Sequence, residues 1–155
     1  MTTKGPGDQW YFAYGSNLFI DQKEERTGRI RQAMRCHLPG FRFAFNKQGN
    51  GGQIYANIVQ DKASEVWGVC YLCDPEAIQK MDRFEGVAGG HYEQISVAVE
   101  NDAGEVLDAL TYLAGEEFVC EPGMPSAKYL NTIISGARHH ALPDGYIAQI
   151  ERLAT

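Results

Sequence analysis

Glu85 is the side chain of this sequence best suited to moving a proton. It closes the segment Met81-Asp82-Arg83-Phe84-Glu85-Gly86. Upstream, Asp74-Pro75 predicts a helix with Asp74 as N-cap and Pro75 at its first position, running to about Glu85 before Gly86. On that helix Ile78, Met81 and Glu85 share or border one apolar stripe. A carboxylate there loses water and meets the negative end of the helix dipole, and both effects raise its pKa. A carboxyl tuned towards neutrality is what a general acid/base at neutral pH requires. The competing reading is a surface glutamate on a slightly rotated helix, near Lys80 or Arg83. Asp82, also acidic, is expected to matter far less to the chemistry.

A second candidate is the stretch Tyr11-Phe12-Ala13-Tyr14-Gly15-Ser16-Asn17-Leu18. Its apolar start reads as a buried strand that stops at Gly15, a residue that tolerates φ > 0 and lets backbone approach a ligand. Ser16 and Asn17 are good N-cap residues for a following helix, with Asp21, Glu24 and Glu25 early in it. Such a junction can aim several backbone N–H groups at one oxyanion or carboxylate. The competing reading, which the octapeptide taken alone favours, is an ordinary strand-to-helix turn. Tyr92 and Tyr112 each lie in an expected strand, where a phenol packs in the core or bonds a ligand. His139-His140 ends an expected helix, where positive charge suits the dipole, and His37 and His91 stand alone. There is no Gly-x-Ser-x-Gly elbow, P-loop or dinucleotide signature.

The elements that must carry these residues follow from punctuation and periodicity. A charged helix is expected over Asp21 to Arg31, ended by Pro39-Gly40. Strands are expected at Phe41–Phe45, Gln53–Val59 and Val66–Leu72, with a glycine-rich loop from Asn46 to Gly52. Tyr92–Glu100 and Val106–Leu113 pair across the hairpin turn at Asn101–Gly104. Glu116 to Met124 reads as a loop. Ser126 caps a helix carrying Tyr129, Leu130, Ile133, Ile134 and Ala137, and Leu142-Pro143 precedes a short last helix. About six strands with scattered helices and hairpins predict an α+β fold whose sheet curls into a small barrel.

The 155 residues suit a single domain over residues 10–155, with residues 1–9 expected to be disordered. A net charge of −6 argues against nucleic acid and anionic membrane surfaces as partners. No apolar run approaches a membrane span, and the N-terminus lacks a signal-peptide core, so a cytoplasmic location is expected. Cys70 and Cys73 are three apart on an expected strand and point to opposite faces. Together with Cys36 and Cys120 they read as small buried hydrophobes, not as a metal or redox site.

Taken together, the segments resemble the gamma-glutamylcyclotransferase family. The resemblance rests on Tyr14-Gly15-Ser16-Asn17-Leu18, Glu65-Val66-Trp67-Gly68-Val69, Met81 to Val87, Tyr92 and Thr111-Tyr112-Leu113. It continues through Pro125 to Tyr129, Gly136-Ala137, Leu142-Pro143 and Tyr146, with Ala141 departing from an expected glycine. It implies a small mixed β-barrel with flanking helices and a cavity partly formed by Tyr14 to Leu18. It also implies Glu85 as the acid/base that turns a γ-glutamyl amide into 5-oxoproline and a free amine. Tyr14, Gly15, Ser16, Asn17, Leu18, Tyr92 and Tyr112 are then the substrate-binding residues, and no metal or cofactor is called for. The expected partner is a small γ-glutamyl substrate. The oligomeric state stays open, a homodimer included. A γ-glutamylamine cyclotransferase acting on γ-glutamyl-lysine or polyamine conjugates is an alternative that an acidic distal pocket would favour. A non-catalytic ligand-binding module of the same fold is another.

Overall fold

The computed structural model describes residues 5–155. The disorder expected over residues 1–9 falls partly on residues 1–4, which lie outside the described residues. Residues 5–8 instead form a turn closed by the Asp8 N–H on the Gly5 carbonyl (3.1 Å), and the Asp8 carboxylate meets Arg31 at 2.7 Å.

Five strands close into a barrel: β1 (Gln9–Ala13), β2 (Ala33–Gln48), β3 (Ile54–Cys73), β4 (Tyr92–Asn101) and β5 (Val106–Ala114), in the order β1-β3-β2-β4-β5. All neighbours are antiparallel except β1 and β5, whose short parallel pairing closes the ring at Trp10↔Ala109 and Tyr11↔Leu110. Closure leaves this small sheet without a free edge. Around it lie α1 (Ile20–Thr27), α2 (Pro75–Phe84), α3 (Ala127–His139) and α4 (Asp144–Leu153). The α+β barrel implied by the resemblance is therefore the fold.

Two expectations change. The strands expected at Gln53–Val59 and Val66–Leu72 are one strand, because β2 pairs with β3 along both parts. The polar residues Asp61 to Ser64 between them have no backbone pairing partner in β2: they bulge opposite the shift between Pro39 and Phe41, with the Asp61 carboxylate accepting from Ala63 N–H at 3.0 Å and from Ser64 Oγ at 2.9 Å. Likewise Pro39 does not end a segment. It lies inside β2 at a register shift before Phe41, where a missing N–H is tolerated. A second shift falls between Phe45 and Lys47, so Asn46 and Lys47 belong to the sheet and not to the expected loop.

The core is continuous: Phe12, Leu18, Val66, Val69, Tyr71, Val99, Ile133 and Ile150 are all fully buried. Cys36, Cys70 and Cys73 are buried free thiols, and Cys120 is partly exposed. Hydrogen bonding to Cys36, with burial, holds the Cys70 thiol well above its ordinary pKa.

Gly136 lets α3 lie directly on the Tyr14–Leu18 loop. A Cβ there would strike the Leu18 backbone and come within 2.6 Å of the Phe19 nitrogen. The same helix ends in a Schellman motif, with Ala141 N–H on Arg138 O and Leu142 N–H on Ala137 O, both at 3.0 Å. Its left-handed position is held by Ala141 at φ 56°, where the family resemblance called for glycine.

Candidate active site

The helix predicted from Asp74-Pro75 forms as α2. The Asp74 carboxylate accepts from Ala77 N–H at 2.8 Å, and Ile78 and Met81 are buried on its inner face. Glu85 is the C-cap, and Gly86 follows at φ 66°, the left-handed turn that swings the chain away. Glu85 thereby faces a cavity of about 440 Å³, half-buried at the negative end of α2.

Across from it, the chain after β1 makes a single 3-10 turn, Ser16–Leu18, before α1. Neither Ser16 nor Asn17 caps α1. Phe19 holds that N-cap position and makes no side-chain bond there, which corrects the capping reading. The Asn17 side chain points inward instead. Its Nδ2 lies 3.2 Å from Glu85 Oε1, 3.0 Å from Tyr11 Oη and 3.3 Å from Met81 Sδ. Its Oδ1 accepts from Gln22 Nε2 at 3.2 Å and from Arg26 at 3.3 Å, and these two donors fix which way the amide faces.

The loop's carbonyls are all occupied on the inner side. Gly15 O accepts from Leu18 N–H and Ser16 O from Phe19 N–H. Asn17 O accepts from Tyr71 Oη at 2.8 Å, and Leu18 O from His140 Nε2 at 3.0 Å. Among the described residues nothing accepts from the N–H groups of Gly15, Ser16 or Asn17. Burial holds His140 below its ordinary pKa, so it supports the loop as a neutral donor, not as the charged complement to a helix dipole expected of it. Gly15 has φ −109°, so the expected positive φ is not present. What glycine leaves there is room: a Cβ would sit 3.5 Å from Ala56 Cβ and 3.6 Å from Tyr129 Oη.

Burial pushes the Glu85 carboxyl up to about 7, against the opposing pull of Arg26, Lys47 and the Asn17 hydrogen bond. The structure thus brings together Glu85, Tyr14, Gly15, Ser16, Asn17, Tyr92 and Tyr112 around one cavity. Leu18 is not among its walls. It is fully buried beneath the loop against α3.

The three tyrosines read from the sequence present rings, because their hydroxyl protons are committed to the protein. Tyr14 donates to Tyr112 O (2.6 Å), Tyr92 to Ala56 O (2.8 Å) and Tyr112 to Asp82 Oδ1 (2.6 Å). Asp82, which also accepts from Gln94, is therefore tied to the cavity wall through Tyr112 and is no indifferent bystander.

Two tyrosines that the sequence placed on a strand and a helix but not in the site, Tyr11 and Tyr129, keep their protons. Tyr11 Oη accepts from Asn17 and Tyr129 Oη accepts from Ala56 N–H at 3.1 Å, and among the described residues neither donates onward. Burial holds both phenols above their ordinary pKa, so they stay neutral donors. Lys47 and Arg26 were also missed, and both line the cavity. Among the described residues no group of three or more His, Cys, Asp or Glu side chains is placed to hold a metal ion, and no helix is long and apolar enough to cross a membrane.

Residues 65–150 match the AIG2-like family. A human protein named gamma-glutamylcyclotransferase is 31% identical over 156 residues, covering 96% of this chain and 81% of the relative. The chain belongs to the gamma-glutamylcyclotransferase family. A mouse relative of the same name is 30% identical, covering 92% of this chain and 77% of its own. A solved structure named gamma-glutamyl cyclotransferase superposes with a TM-score of 0.82 at 28% identity, covering 93% of this chain and 86% of the other. Family membership accounts for the closed barrel.

Proposed function

We propose that the protein cleaves γ-glutamyl amino acids or dipeptides, releasing 5-oxoproline and the free amine. The observation that carries this reading is a carboxyl with a pKa of about 7, set at the cavity wall and oriented by Asn17. The substrate's α-amine attacks its own γ-carbonyl carbon. A new C–N bond closes the five-membered ring and the γ-amide C–N bond breaks. Glu85 takes a proton from the attacking nitrogen and returns it to the leaving one, a relay suited to a group poised near neutrality. The N–H groups of Gly15, Ser16 and Asn17, unused among the described residues, supply donors for the glutamyl carboxylate or the developing oxyanion. The rings of Tyr14, Tyr92 and Tyr112 bound the space in which the chain must fold back on itself, and that alignment contributes the entropic part of the acceleration.

The charge of the cavity favours an amino acid or peptide over an amine as the leaving group. Among the described residues Glu85 is the one acid in the wall, whereas Arg26 and Lys47 are both there. A distal pocket for lysine or a polyamine needs a second carboxylate. The test is a panel of γ-glutamyl dipeptides and γ-glutamyl amines assayed for 5-oxoproline. Release from the dipeptides is expected, with weaker release from the amines. A panel that yields no 5-oxoproline rules the reading out.

A further inference from the structure

Lys47 is held in a way that the chemistry at Glu85 does not explain. It is 3% exposed, on β2 at the register shift after Phe45, and its side chain reaches the cavity. Its Nζ donates to His91 Nδ1 at 2.7 Å. The rings of Phe118, Tyr92 and Tyr55 surround it at 5.0, 5.1 and 5.5 Å from their centroids. Among the described residues no carboxylate forms an ion pair with it. A buried ammonium ordinarily has an anionic partner, since desolvation without one is costly. Ring faces favour a cation without neutralising it. His91 stacks on Phe118 at 3.9 Å and uses its Nδ1 lone pair on Lys47, so the ammonium is fixed in place with donors to spare.

The geometry points to Lys47 as the specificity residue that takes the α-carboxylate of the leaving amino acid, with His91 as its positioning residue. This rests on the proposed cyclotransfer and names which class of leaving group the site takes. The glutamyl end has its own donors, the three unused N–H groups of Gly15 to Asn17 beside Glu85. Arg26, the other cation of the wall, is already engaged with Asn17 Oδ1 and lies 5.2 Å from the Phe84 ring centroid. Lys47 therefore remains for an anion on the amine side of the scissile bond. That requirement is met by an amino acid or peptide with a free carboxylate near the γ-amide, and not by an alkylamine.

The experiment compares γ-glutamyl-alanine with γ-glutamyl-alaninamide, which differ only in that carboxylate, using 5-oxoproline release by the wild-type enzyme and by Lys47→Met. A charge-assisted hydrogen bond makes the wild type favour the acid by roughly 10–10²-fold in kcat/KM. Lys47→Met should raise KM for the acid by a similar factor with little change in kcat, and affect the amide several-fold less. Lys47→Arg should keep the preference for the acid. A wild type that shows no preference overturns the inference without any variant, so a poorly folding Lys47→Met does not shield it. Equal losses on both substrates also overturn it, since they place Lys47 at the glutamyl end or in the scaffold. Turnover of both substrates without preference leaves the cyclotransferase reading standing. Failure to turn over any γ-glutamyl compound sinks that reading and this inference together.

Discussion

Glu85 and Lys47 carry opposite charges in one cavity, and the walls that hold them are made differently. The acid stands at the C-terminus of α2 with polar neighbours, an Asn17 amide at 3.2 Å and a row of unused backbone donors nearby. The ammonium stands at a bulge in β2 among three aromatic rings and one histidine. Burial acts on both and moves them towards neutrality from opposite sides: Glu85 up to about 7, Lys47 below its ordinary value. Their mutual attraction opposes both shifts. What separates them is what happens next. A carboxyl poised near 7 suits proton exchange at neutral pH, whereas a lysine ringed by aromatic faces suits the binding of an anion. On the proposed reading, one wall serves chemistry and the other recognition.

The sharpest way to break that division is Glu85→Gln. A general acid/base contributes ~10²–10⁴-fold, and one acting in both proton transfers belongs at the upper end, so kcat should fall by about 10⁴ with KM nearly constant. The same variant should be more stable above neutrality. A carboxyl raised from 4.5 to about 7 is protonated in both states below pH 4.5, where it costs nothing. Between pH 4.5 and 7 the unfolded chain ionises it while the folded protein holds it protonated, so stability falls across that window and levels off above it. Removing that titration stabilises the fold by up to about 3 kcal/mol at pH 8 and by nothing at pH 4. Thermal melts of both proteins across that range read the difference. A normal kcat in Glu85→Gln would refute the assignment of the acid/base.

Asn17→Asp tests whether the chemical wall depends on its donor. The change replaces an N–H aimed at Glu85 by a second carboxylate oxygen. Loss of a hydrogen bond to a charged group, with like-charge repulsion added, should lower kcat/KM about 10–10²-fold. It should also move the acidic limb of the pH profile upward. A loss without that shift would mean that Asn17 serves the loop and not Glu85. In the wild type the limb itself should lie near pH 7, with kcat/KM rising as Glu85 deprotonates to act as base. A limb at pH 4.5 would show that the carboxyl is solvated in the working enzyme.

Ala141→Gly should touch neither wall. It relieves a left-handed alanine at φ 56°, and against the added freedom of the unfolded chain the gain is at most about 1 kcal/mol. The melting temperature should rise slightly while kcat and KM hold. A kinetic change would show that the end of α3, which carries His140 beneath the loop, tunes the site more directly.

Much of the acid's wall was legible in the sequence because it is local. Asp74-Pro75 starts α2, the spacing of Ile78, Met81 and Glu85 sets its buried face, and Gly86 ends it. These are matters of helix period and capping within a dozen residues. The hairpin at Asn101–Gly104 was legible for the same reason. The loop was half legible. Its position after a buried strand was plain, but Asn17 read as a cap, because only α2 and β1 decide that its amide has Glu85 and Tyr11 to meet.

The recognition wall left no such trace. Lys47 follows a phenylalanine strand and precedes glycines, and a regular pleat would alternate it with its neighbours between inside and outside. Phe43 to Lys47 are buried without a break on both sides of the register shift, so no alternation within β2 announces which of them faces the cavity. Its companions come from β3, β4 and the segments carrying His91 and Phe118, so the cage exists only once the barrel closes. The sequence by itself determined the family, most of the elements and the place of Glu85 at the end of α2, because capping, period and motif act over short distances. The tertiary structure alone decided which side chains lose water together, because desolvation and pairing depend on neighbours remote along the chain.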